Sequence, residues 1–464
     1  MLGQPDFTTA RNCDIEECNG TDRMYRPQAV AVDPTTGKVF VADSSNNRVL
    51  RFASGAALAN GAAAEAVLGQ PDFVTTTWAT TSAASMAGPQ AVAVDAEGRL
   101  WVADTWNFRV LRFDNAASKV NGANADGELG QLDFTGGLVR LTSQKSIGQP
   151  SGLAIDVEGR LWVAEYYYNR ILRFDNAASK ANGANADAVL GQVDFTSDAD
   201  AIGRNKMDSP VGITITATGA LFVSDSRNHR ILRFDNAADK GNGADADAVL
   251  GQADFISNVV GYQARNGLYY PAGVSYDNEG RLYVADGDGN NNRVLIFNNA
   301  AAKANGADAD NVLGQPDFTT ATLNLSASGL STPLSVFADN AGGALWVADR
   351  DNNRVLRYVG QAVAAYALTV SKNGTGSGAV TSSPAGISCG GTCAASFSAG
   401  QSVTLTAAAA SGSTFAGWNG ACSGTGSCTV TMDADKAVTA AFTANAAGSP
   451  SPWLPAIQQL LLKK

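Results

Sequence analysis

The chain has 464 residues, with 33 Lys and Arg against 43 Asp and Glu and a net charge of −10. An acidic balance without clustered Lys and Arg excludes a polyanion-binding surface, and no apolar run approaches the length of a membrane span. His229 is the only histidine, so metal sites built from several imidazoles are excluded too.

The first segment, LGQPDF at Leu2 to Phe7, recurs in near copies beginning at Leu68, Leu129, Leu190, Leu250 and Leu313. Longer blocks open at Pro27, Pro89, Pro150, Pro210, Pro271 and Pro333, spaced by 62, 61, 60, 61 and 62 residues. A fixed period of this kind marks units that bury their faces only against their neighbours. In the second copy the predicted strands are Gln90 to Asp95, Arg99 to Asp104, Arg109 to Phe113 and Glu128 to Phe134. The first two, AVAV and LWVA at their centres, are apolar on both faces and must be sandwiched. Glu97-Gly98 supplies the tight turn between them. Four antiparallel strands per unit, packed face to face around an axis, make a propeller blade. Because the three-strand pattern ends at Arg354 to Tyr358, the early Leu2 to Phe7 copy is expected to complete the last blade and remove its open edge.

These blocks resemble the NHL repeat family through Val41-Ala42-Asp43 to Arg48, Val102-Ala103-Asp104 to Arg109, Val163-Ala164-Glu165 to Arg170, Val223-Ser224-Asp225 to Arg230, Val284-Ala285-Asp286 to Arg293 and Val347-Ala348-Asp349 to Arg354. The resemblance implies a six-bladed propeller over residues 1–360. An acid and an Arg repeated in every blade are expected to tie the turn by charge-assisted hydrogen bonds, a structural duty rather than a catalytic one.

After the propeller the composition shifts to Gly, Ser, Thr and Ala. Residues 366–443, with CGGTC, SVTLTA, FAGWNGACSGTGSC and KAVTAAF, resemble the divergent internalin-type B-repeat domain of bacterial surface and secreted proteins. The fold class is therefore all-β, a propeller followed by a small disulfide-stapled domain, and 444–464 form a Pro/Ser linker with a short apolar tail. All six cysteines fall in local pairs, Cys13 with Cys18, Cys389 with Cys393 and Cys422 with Cys428, which favours disulfides and an extracytoplasmic location over a zinc site. Met1 stands where Val67, Val189, Val249 and Val312 stand in other copies. This alignment places the expected export signal upstream of the recorded start.

Function is expected where the copies differ. The third-to-fourth connections repeat almost verbatim, as in DNAASKVNGANAD, whereas the second-to-third turns diverge: SSNN, TWNF, YYYN, SRNH, GDGNNN and RDNN. On that variable rim, Trp106, Phe108, Tyr166, Tyr167, Tyr168 and His229 belong to turns, while Trp78, Tyr262, Tyr269 and Tyr270 belong to longer connections. Aromatic rings suit sugar faces and peptide side chains alike, and they also pad blades against one another. The expected role is an extracytoplasmic binding or adhesion scaffold, monomeric, taking a protein or glycan ligand and requiring no cofactor. The alternative is a metal-dependent, lactonase-like hydrolase or lyase with carboxylate and amide ligands on the axis. In the fifth blade, Asp286, Asp288, Asn290 and Asn292 alternate like calcium ligands; yet the Gly sits at the fourth loop position and no acid closes the twelfth, so an unmetallated surface loop is preferred to Ca2+.

Overall fold

The structure is a computed structural model, described here for residues 1–8, 19–136, 141–287, 291–359, 365–383, 386–389, 393–398, 402–432 and 434–445. The chain divides into two compact units, Met1–Gly360 and Gln361–Lys464.

In the first unit, five four-stranded antiparallel sheets follow one another in simple sequential order, and a sixth has three strands of its own. Blade two shows the pattern: Pro89–Val94, Leu100–Asp104, Arg109–Phe113 and the short outer strand Gly127–Leu129. Its first turn is wound by Asp95, whose Oδ1 accepts the Glu97 and Arg99 amides, and closed by Gly98 at φ +78°, a left-handed conformation natural to glycine. The doubly apolar strands are buried on both faces because each blade shares a core with the next. Ala31, Phe40 and Ala42 of blade one pack with Val92, Leu100, Val102 and Leu111 of blade two. Equivalent cores join blades two to three, three to four, four to five and five to six.

The last core joins the ends of the ring, packing Val39, Val41, Leu50 and Phe52 of blade one against Trp346 and Val355 of blade six. Leu2 sits in that core, fully buried. Its amide donates to Val355 O at 2.9 Å and its carbonyl accepts from Val355 N at 3.1 Å. That is the register of the other outer strands, where Leu68 faces Val49 and Leu129 faces Val110. Arg354 Nη1 also donates to Phe7 O, so side chain and backbone together complete blade six from the far end of the chain.

The six inner strands surround a central channel of about 220 Å³. Their approach is close. A Cβ on Gly152 would stand 2.1 Å from Val211 O and one on Gly212 2.4 Å from Ala272 O, which explains glycine at these two positions.

The second unit packs the sheet Ala394–Ser398, Ala365–Asn373, Lys436–Ala444, Ser413–Gly420 with the sheet Gly378–Ser383, Ser402–Ala409, Cys428–Thr431, each in spatial order. Leu368, Val380, Phe397, Leu405, Trp418 and Phe442 fill its core. Cys389–Cys393 and Cys422–Cys428 are disulfide-bonded, with Cys389 and Cys428 inside that core. A bulge between Phe415 and Gly417 precedes Trp418, whose Nε1 donates to Gly426 O at 2.7 Å. Cys13 and Cys18, and the tail beyond Asn445, lie outside the described residues.

Candidate functional site

The variable rim is built on an invariant frame. In five blades the Arg that opens the third strand places Nε 2.7–2.9 Å from the Asp that closes the second, and in blade three Arg170 and Glu165 pair the same way. All of these side chains are fully buried. The second carboxylate oxygen accepts a backbone amide from the connection entering the same blade, at 2.6–2.8 Å. Each outer strand ends at its Leu, short of the expected Phe, and the guanidinium donates on to the carbonyl of that Phe, five residues beyond the Leu. A buried charge tolerates such a site only when paired and hydrogen-bonded. Burial raises the carboxyl pKa, to about 6 for Asp225 and Asp286, against the pull of Arg230 and Arg293; at neutral pH these two pairs are ionic. These carboxylates are structural.

A second device stitches neighbouring blades at the same rim. The last turn residue is left-handed in every blade: Asn47, Phe108, Asn169, His229, Asn292 and Asn353. So is the residue before each blade-opening proline, namely Arg26, Gly88, Gln149, Ser209, Tyr270 and Thr332, at φ +45° to +52°. Side chains other than glycine resist that conformation, and a following proline restricts it further. At five of the six seams a side chain of the neighbouring blade holds it. Asn47 Oδ1 accepts from Gly88 N, Asn169 Oδ1 from Ser209 N, Asn292 Oδ1 from Thr332 N and Asn353 Oδ1 from Arg26 N, at 2.8–2.9 Å. His229 does the same with Nδ1, accepting the Tyr270 amide at 3.2 Å. Phe108 alone offers no acceptor.

This frame sorts the rim aromatics. Sequence position groups Tyr168 and His229 with the surface rings, but each is only 5% exposed. Tyr168 lies against Gly148 and over the Arg170 guanidinium, 5.3 Å from Cζ to the ring centroid. It accompanies the exchange of Asp for the longer Glu165, so it is padding for the frame. His229 is a latch, and its pKa is lowered by burial, against the opposing charge of Asp208. Phe108, half-buried, occupies the latch position without performing it.

The remaining rings divide. Tyr262, Tyr269 and Tyr270 form one group over His229: Tyr269 stacks on the imidazole at 5.5 Å, Tyr270 meets it edge-on at 4.6 Å, and Tyr262 and Tyr270 each lie 4.7 Å from Tyr269. Arg227, exposed in the same turn as His229, reaches back over Tyr166 of blade three at 5.8 Å. Tyr262 and Tyr167 are 50% and 63% exposed. Blades three to five thus carry a half-exposed aromatic patch with one cation in it. Trp78 and Trp106 are exposed on other loops, the Trp106 ring lying against Gly88, and among the described residues no ring contact joins them or Phe108 to the patch.

The calcium candidates are otherwise engaged where they are described. Asp286 is the buried partner of Arg293 and also accepts from Asn291 and Tyr269 N, while Asn292 Oδ1 holds Thr332. Neither oxygen set is free for a cation. Asp288 and Asn290 lie outside the described residues. On the axis, the channel lining among the described residues consists of Ala, Val, Gly, Ile, Leu and Phe with Gln28, Gln90, Ser151, Thr214, Ser275 and Ser335, and holds no Asp, Glu or His. Amides and hydroxyls alone do not provide the carboxylate donors that the lactonase-like alternative needs.

Two groups escaped the sequence reading. The turn Asn residues carry no signal of their own in the turns SSNN, YYYN, GDGNNN and RDNN, and only their partners in the next blade reveal them as latches. Arg227 is the other, in the turn that also carries the unique histidine.

A closed ring of antiparallel four-stranded sheets, stitched by buried Asp–Arg pairs, defines a β-propeller protein with a second, small all-β unit. NHL repeats match at residues 24–52, 86–113, 207–234 and 268–297, and a divergent InlB B-repeat domain at 368–446. The chain is an NHL-repeat β-propeller protein with a C-terminal divergent InlB B-repeat domain. The two blades outside those matches are the third, with its Glu165 and Tyr168 exchange, and the sixth. No curated protein matches the chain. Similar solved structures include a streptogramin B lyase (14% identity, TM-score 0.42, covering 74% of this chain and 86% of that one). A protein of unknown function from Bacteroides thetaiotaomicron gives 14%, 0.48, 74% and 72%. A virginiamycin B lyase of Staphylococcus aureus gives 15%, 0.41, 74% and 87%. At these values the similarities carry no inference about activity.

Proposed function

We propose that the protein is an extracytoplasmic bacterial binding or adhesion scaffold that takes a protein or glycan ligand on the variable rim of its propeller. The observation that carries this reading is one turn of blade four that serves two neighbours: its His229 carries Tyr269 and Tyr270, with Tyr262 against Tyr269, and its Arg227 lies over Tyr166 of blade three. Rigid rings offer contact area at small entropic cost, and a cation among them supplies direction. The location rests on the two disulfides of the second unit, which persist in oxidising compartments, and on its B-repeat character.

A glycan and peptide array, probed with the wild-type chain and with a Tyr167→Ala/Tyr262→Ala variant, tests the reading. Both side chains are more than half solvent-facing or evenly divided, so the variant should melt within about a degree of wild type, surface substitutions costing roughly 0.5 kcal/mol or less. Array signal should fall at least tenfold. Undiminished binding by a folded variant would move the contact surface elsewhere.

A further inference from the structure

Four latches in the ring are amides, which do not titrate between pH 4 and 8, and one is an imidazole. His229 Nδ1 accepts the Tyr270 amide only while it is unprotonated. Once protonated, both ring nitrogens are donors, and N–H would face N–H across the seam. Tyr270 is a bulky residue at φ +45° directly before Pro271, a strained conformation that its surroundings must offset; Gln149 keeps φ +52° without a side-chain latch, so loss of the latch is read at the Tyr270 amide. The same imidazole is the stacking base of Tyr269 and the edge contact of Tyr270.

We propose that His229 is a proton-operated latch: acidification releases Tyr270 from blade four and dissolves the Tyr262–Tyr269–Tyr270 group, so that ligand binding on this rim is switched off at low pH. The inference rests on the rim being the ligand surface. The titratable and charged groups around His229 are Asp208 on the connection entering its own blade, Arg227 in its own turn, the mutually neutralised Asp225–Arg230 pair of the flanking strands, and the phenols of Tyr262, Tyr269 and Tyr270 on the facing connection. Asp208 favours the imidazolium, but burial outweighs it and holds the pKa below the usual 6.5. The latch is therefore shut at neutral pH and opens in the acidic range below 6.5.

His229→Asn is a natural control, since Asn performs the same duty at positions 47, 169, 292 and 353. Hydrogen exchange at the Tyr270 amide, followed in the full-length chain from pH 7 to 4.5 and corrected for intrinsic rates, reads the latch without any ligand. Wild type should lose protection about tenfold per pH unit below the imidazole pKa. His229→Asn should stay protected throughout, and His229→Ala should be unprotected at both ends of the range. The carboxyls of Asp225 and Asp286 titrate in both proteins alike, so they cannot produce a difference between wild type and His229→Asn. Protection in wild type that is flat with pH, or an equal loss in His229→Asn, would overturn the switch. Either result would leave the binding surface itself to the array experiment, so the two readings fail separately.

Discussion

Replacing Glu128 by valine should stabilise the propeller, and by an amount that depends on pH. The corresponding outer-strand residues are Val67, Val189, Val249 and Val312. Glu128 is 2% exposed; one oxygen lies 3.2 Å from Arg109 Nη1 and the other has no hydrogen-bond partner. Arg109 already serves Asp104 at 2.8 Å, so a single cation answers two buried carboxylates. Burial, with the nearby charges of Asp133 and Asp104, raises the Glu128 pKa from 4.5 to about 7 despite Arg109. Between those two values the folded state binds more protons than the unfolded one, so this residue's contribution to stability falls as pH rises through the window and reaches its full penalty above pH 7. At about 1.4 kcal/mol per unit, a shift from 4.5 to about 7 corresponds to roughly 3 kcal/mol. Urea unfolding of Glu128→Val and wild type at pH 8 and pH 5 measures it. The variant should gain about 2–3 kcal/mol at pH 8, and the gain should shrink to about 1 kcal/mol or less at pH 5. A variant no more stable at pH 8, or a gain of the same size at both pH values, would refute the argument that an uncompensated carboxylate is buried there.

Phe108→Asn should restore the missing latch by offering Oδ1 to the Gln149 amide, and raise stability by up to ~1 kcal/mol, the net worth of one buried hydrogen bond; an unchanged urea midpoint would count against the latch account. Leu2→Ala should cost about 2–5 kcal/mol, as for other fully buried leucines. It should also raise hydrogen exchange along Arg354–Val359, which shares its sheet; a loss confined to residues near Leu2 would mean that the ring does not depend on that closure.

The sequence by itself determined the blade. Strand order, the doubly apolar inner strands, the Asp–Arg turn and the completion of blade six by Leu2 all follow from period and pattern, because each is repeated six times and each is satisfied within one blade or by a copy of its own register. The local cysteine pairs of the second unit were legible for the same reason, since Cys389–Cys393 and Cys422–Cys428 close loops only 4 and 6 residues apart. Tertiary structure alone decided which rim residues act together. His229 and Tyr270 are 41 residues apart and belong to successive blades, and a left-handed turn residue looks the same in sequence whether its side chain meets water or a neighbour's amide. Burial then moved Tyr168 and His229 inside while leaving Tyr167 and Tyr262 outside, although adjacent positions in YYYN carry the same side chain. The physical reason is that a turn fixes where the backbone goes, whereas the environment of its side chains is set by the blade packed alongside.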